Sequence, residues 1–263
     1  LTALALALGF ALGQAAQTAA AEQPLYGVME ILLLSTCLTG GTVFLAIKRV
    51  YISLQKQKLI ENSYYIISRS SHTNLSATDD FGIVRCAMGY AARIFDKGLV
   101  APLVWYLIGG LPAAYVYAVA AALAWRLGKD GFTKGIGGAA LFIERILGLL
   151  PGLLSGILLT LAALFTPTAG VWRSMVSWFG HDQRAPYAQG GQPLSILAWA
   201  LHVSLGGPSQ DLSGSAIKAD WVGPPGATAQ NDYRHLRRAA YILAIAYLLL
   251  LAALGGCYLW APF

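Results

Sequence analysis

The chain has 263 residues, with 18 Lys and Arg against 12 Asp and Glu and a formal net charge of +6. Hydrophobic residues make up 57% and charged ones 11%, whereas soluble globular domains carry about 25% charged residues. This composition excludes an ordinary soluble enzyme, a disordered chain and a typical nucleic-acid binder, and predicts an integral membrane protein whose first partners are membrane lipids. Cys37, Cys86 and Cys257 form neither a disulfide framework nor a metal-binding spacing. Leu1 already lies in an apolar run, so the sequence is expected to start after the native beginning, with a first helix or its flank missing.

Residues 1–20 are uncharged and rich in Ala and Leu; at about 1.5 Å per residue they cross roughly 30 Å of hydrocarbon. A cleaved signal peptide is the rival reading, but no basic n-region precedes the run. A second span is predicted over 28–47, interrupted by Glu30 and ended by Lys48 and Arg49, with Lys56 and Lys58 following. Positive charge beside a span favours the cytoplasmic side. Next, "ISRSSHTNLSATDD" reads as a loop leading into an amphipathic, interfacial helix from about Ala77 to Phe95. Asn74 or Ser76 is the expected cap, with Asp79 and Asp80 in the first turn. Residues 99–125 are uncharged but broken by "GGLP" at Gly109 to Pro112, either a kinked span or a re-entrant pair. A basic, glycine-rich loop follows, then apolar residues to 165 that carry Glu144 and Arg145. Residues 166–238 are rich in Gly, Pro and Gln, with a helix candidate at 194–205, and the final span is predicted over 239–260 behind Arg234, His235, Arg237 and Arg238.

The predicted fold class is all-α: one polytopic membrane domain over 1–263, with about four to six membrane-embedded segments, some broken or re-entrant. Polar regions at about 48–98 and 166–238 are expected on the cytoplasmic face of the membrane. Sharing one face needs an even number of crossings between them, which the broken segments leave open.

No Walker A, Rossmann glycine fingerprint, HExxH, CxxC or GxSxG motif occurs. Lys129 and Lys134 sit in "GKDGFTKGIGG", where backbone N–H groups and cations suit a phosphate; a positive-inside loop is the plainer reading. Arg69, Arg85 and Arg93, with Asn74 beside them, are candidates to grip a phosphate or carboxylate, and Asp79, Asp80 and Asp96 to carry Mg²⁺. These charges also suit pairing with one another and with lipid headgroups. Tyr187 and Trp221 lie among Gly- and Pro-fixed turns, placed either to cover a flat apolar ligand or to anchor a compact loop.

Ser68–Arg69 with Leu75, then Arg85 and Ala87, "GLVAPL" from Gly98 to Leu103, "GGLP" from Gly109 to Pro112, Tyr117, "GGP" from Gly206 to Pro208 and the Trp221–Gly223 turn together resemble the cobalamin-biosynthesis family CobD/CbiB, the adenosylcobinamide-phosphate synthases. The resemblance implies an inner-membrane ligase that joins adenosylcobyric acid, a corrinoid, to an aminopropanol or its phosphate, with ATP and Mg²⁺. The chain also departs from the pattern. A glutamate-bearing "VE..AEN" stretch corresponds here to Gly89, Arg93 and Ile94, the aspartate before Gly98 is Lys97, and "KAVNT.D" is replaced around Ala118, Ala121 and Ala124. Tyr187 stands for the asparagine of "SPNAG" and Pro224 for the acid of "WLGD". Losing these oxygens leaves a second reading, a catalytically degenerate scaffold or accessory subunit with membrane protein partners. A transporter is a third, drawing on the broken helices.

Overall fold

The structure is a computed structural model that describes residues 1–263 except 24, 57–61, 77, 128–135, 168, 181–184, 218 and 261–263. It is helical throughout, apart from two small strand pairs, and forms two compact units. Three helical stretches are long and apolar enough to cross a membrane, Thr2–Ala21, Asp80–Leu127 and Tyr233–Gly256; a fourth span arises if the pair Gly137–Leu147 and Leu149–Leu164, bent by 57°, counts as one.

The first unit comprises Leu1–Gly41 and Ile94–Leu153. Helix α1 (Thr2–Ala21) packs on α6 (Ala101–Leu127), and α7 (Ile136–Leu147) packs on α6 as well. The predicted span over 28–47 is instead two helices, α2 (Tyr26–Ser35) and α3 (Gly40–Gln55). The Ser35 and Thr36 hydroxyls donate back to the carbonyls of Leu32 and Leu33, and the Thr39 N–H donates to the Gly98 carbonyl at 2.9 Å. Side-chain and distant backbone groups thus take over hydrogen bonding that would otherwise continue the helix.

The break expected at "GGLP" is present. Within α6, Gly109 (φ −142°) and Gly110 (φ 67°) leave helical geometry. A positive φ suits glycine, and Pro112 opens the second half, where its missing N–H costs little. Leu34, Cys37, Leu111 and Ala114 make a buried cluster beside this bend.

The second unit comprises Thr42–Arg93 and Leu154–Phe263. It holds most of α3, then α4 (Asn62–Ser71), α5 (Asp80–Phe95), most of α8 (Leu149–Leu164), α9 (Val171–Phe179), α10 (Gly191–Leu201) and α11 (Tyr233–Trp260). Helix α10 is buried along nearly all its length, between α9 and α11. His202 ends it in the left-handed conformation (φ 55°), where a cap can close the last turn. Strand β1 (Leu205–Gly206) pairs antiparallel with β4 (Trp221–Val222), and β2 (Ser209–Gln210) with β3 (Ala216–Ile217). Helix α11 starts six residues before the predicted span, so the basic cluster lies in its first turns.

Candidate functional site

Both polar regions lie in the second unit, apart from residues 94–98, and they touch. The Asn74 N–H donates to the Gln210 carbonyl at 2.8 Å, and Thr73 and Asp211 form an antiparallel bridge. Ser68 Oγ donates to the Thr73 carbonyl at 2.6 Å, which pins the end of α4 to this junction. The Asn74 carboxamide is turned locally and accepts from the Ser76 N–H and hydroxyl. Neither Asn74 nor Ser76 caps α5. Asp79 does, its Oδ1 accepting the Gly82 N–H at 2.8 Å, as an N-cap carboxylate should.

Arg85 is the centre of the junction. Its Nη1 donates to the Ala229 carbonyl at 2.6 Å, Nη2 lies 4.0 Å from Asp79 Oδ1, and the guanidinium sits 5.4 Å from the centre of the Trp221 ring. That ring lies against Gly207 (φ 82°), where an added Cβ would come within 2.5 Å of it. Arg85 therefore staples the loop after β4 to α5. Arg93 is buried and donates to the Ala188 carbonyl at 2.8 Å, holding the 3₁₀ turn Tyr187–Gln189 that carries half-buried Tyr187. Arg69 is exposed and, among the described residues, bonds only locally, to the Tyr65 hydroxyl at 3.1 Å.

A cleft of about 490 Å³ opens beside this junction, lined by Leu54, Asp79, Asp80, Phe81, Val84, Asn231, Asp232 and Tyr233. Asp232 caps α11, its Oδ1 accepting the N–H groups of Arg234 and His235. Burial acts to raise the Asp232 carboxyl, but the His235 N–H and imidazole outweigh it and hold the group below the ordinary carboxylate range. Asn231 spends its amide nitrogen on the Ser204 carbonyl at 3.0 Å, and its buried Oδ1 has no hydrogen-bond partner among the described residues. The lining is thus acceptors on apolar walls, suited to a small ligand that donates hydrogen bonds and carries positive charge.

Asp79 and Asp80 are in the second unit, unlike Asp96. Asp96 opens the π turn Asp96–Val100 and belongs to the first unit with Lys97, whose Nζ lies 2.8 Å from Glu144 Oε1. Among the described residues no three His, Cys, Asp or Glu gather as metal ligands would. Lys129 and Lys134 lie outside the described residues. Sequence reasoning missed Asn231, Asp232 and the Lys97–Glu144 pair. Only Asp232 carried a signal, an Asp directly before a helical run.

These features define a class: a polytopic helical membrane protein that folds its two polar segments into one body around a cleft. The CobD/Cbib protein family matches residues 1–243, and the chain belongs to that family. It is 31% identical over 232 residues to the cobalamin biosynthesis protein CobD of Geobacter metallireducens, covering 84% of this chain and 70% of that protein. Identity is 26% over 237 residues to CobD of Klebsiella pneumoniae (89% and 72%), and 27% over 240 residues to cobalamin biosynthesis protein CbiB of Salmonella typhimurium (87% and 72%). No solved structure matches the chain.

Proposed function

We propose that the protein acts in cobalamin biosynthesis as a membrane-bound amide ligase, joining adenosylcobyric acid to an aminopropanol or its phosphate at the expense of ATP. The observation that carries this reading is the family match over residues 1–243, seconded by relatives named for cobalamin biosynthesis. The cleft supports the amine half of the reaction. Asp79, Asp80, Asp232 and the Asn231 carbonyl oxygen suit an ammonium group, and Leu54, Phe81 and Val84 suit its carbon skeleton. In amide formation the carboxylate takes the terminal phosphoryl group of ATP and ADP leaves; a carboxylate of the cleft takes a proton from the ammonium, the freed amine attacks the acyl-phosphate carbon, and the C–N bond forms as the C–O bond to phosphate breaks. Arg69, with its guanidinium exposed, is available to a phosphate.

The scaffold reading draws on a different observation. Arg93 and Lys97, at positions where the family resemblance leads one to expect acids, are buried in contacts with Ala188 and Glu144. Purified chain incubated with adenosylcobyric acid, ATP and aminopropanol separates the two. A ligase binds the corrinoid and releases the amide, and Asp80→Asn lowers turnover at least tenfold while corrinoid binding persists. Corrinoid binding without amide points to the scaffold or a carrier; folded protein that does neither removes the ligase reading.

A further inference from the structure

Helix α9 is built inside out for a helix in water. Its buried residues are Ser174 and Ser177, whereas Trp172, Met175 and Val176 are 77%, 47% and 38% exposed. The spacing i, i+3, i+4 makes these three one stripe. The serines are satisfied within the helix, Ser174 Oγ on the Gly170 carbonyl and Ser177 Oγ on the Ser174 carbonyl, so they can face protein. The helix is locked onto the second unit by Trp178, whose indole N–H donates to Thr160 Oγ1 at 3.1 Å, and by packing on α10. The outward set of the stripe is therefore fixed by the fold.

We infer that α9 lies in the interface of the lipid bilayer, with Trp172, Met175 and Val176 dipped into it. Two features choose lipid over a second protein. The stripe continues an apolar surface that already runs down α8, where Ile157, Leu161 and Leu164 are exposed, as is Phe165 just past its end, and only residues 165–170 separate the helices. At nine residues, or about 14 Å of rise, α9 is also too short to cross, and it begins where a membrane segment ends. Trp and Met on one face with Arg173 exposed beside them match an interfacial helix, the cation reaching headgroup phosphates. The inference is independent of the proposed ligase chemistry. Its consequence is that α10, which α9 carries, is held at the membrane surface.

The test uses the full chain with Cys37, Cys86 and Cys257 replaced by serine, a nitroxide placed at position 172 or 175, and phosphatidylethanolamine–phosphatidylglycerol vesicles. Both labels should collide with oxygen several-fold more than with a water-soluble nickel chelate, as a label at Leu161 does, while one at Ser213 shows the reverse preference. Labels at 172 and 175 that behave like Ser213, or that neither reagent reaches because a second copy or another protein covers them, overturn the inference. In the cysteine-intact chain, Trp172→Phe should remove part of the fluorescence quenched by brominated lipid; an unchanged quenched share also overturns it.

Discussion

Arg69 and Arg85 carry the same guanidinium but meet opposite surroundings. Arg85 is enclosed between Trp221, Asp79 and the Ala229 carbonyl, so its donors are spent on the protein itself. Arg69 stands exposed beside Tyr65 and holds nothing distant together. Removing Arg85 leaves a part-buried carbonyl short of a charged donor, and hydrogen bonds to charged groups contribute about 1.5–3 kcal/mol. Arg85→Ala should therefore lower the melting temperature of the detergent-solubilised protein by several degrees, and Arg85→Lys should recover little of it, because a lysine cannot both stack on the ring and reach the carbonyl. Arg69→Ala should melt within about 0.5 kcal/mol of the parent. If Arg69→Ala unfolds as readily as Arg85→Ala, the division into a structural and an available arginine is wrong.

At the scale of elements, the ends of helices were legible and their interruptions only partly so. The uncharged run that forms α1 and the apolar run of α11 announce themselves by composition, and Gly109–Gly110 mark their own bend. The break between α2 and α3 is not announced, because it depends on Thr39 meeting the Gly98 carbonyl far along the chain. The α5 cap was misplaced for the same reason: Asn74 or Ser76 was expected there, but the Asn74 backbone is engaged by Gln210 and the helix is capped by Asp79, expected instead in the first turn. Lys97 and Glu144 were each visible as charges in apolar surroundings, but nothing in their separate neighbourhoods pairs them. Their side chains are 6% and 1% exposed, and two charges so placed must answer one another. Breaking such a pair costs about 3–5 kcal/mol, while replacing both partners by apolar residues is often neutral. Lys97→Met or Glu144→Leu alone should destabilise the protein sharply in a thermal melt, and the double variant should recover most of the loss. Additive losses in the double variant would mean the two residues act separately.

For the whole molecule, the question that composition left open was parity. Polar residues near 73–85 and near 210–229 bond to each other within one unit, an arrangement that calls for an even number of crossings between them. The apolar stretches between them agree with two crossings, one by the part of Asp80–Leu127 that lies in hydrocarbon and one by the bent pair Gly137–Leu147 and Leu149–Leu164. The stretch is 48 residues long, more than twice the roughly 20 residues that a single crossing takes, which leaves α5 to spare. Lys48, Arg49 and Lys56 flank one region and Arg234, Arg237 and Arg238 the other, and such clusters stay with the cytoplasm. Single cysteines at Lys56 and Ser213, in a chain lacking the native three, should react together with a membrane-impermeant maleimide in inverted vesicles and stay unlabelled in intact spheroplasts. Labelling of both in spheroplasts would reverse the orientation and keep the shared face. Labelling of one in each preparation would contradict the backbone pairing of residues 73 and 74 with 210 and 211 on which the cleft, and the proposed amine site within it, depends.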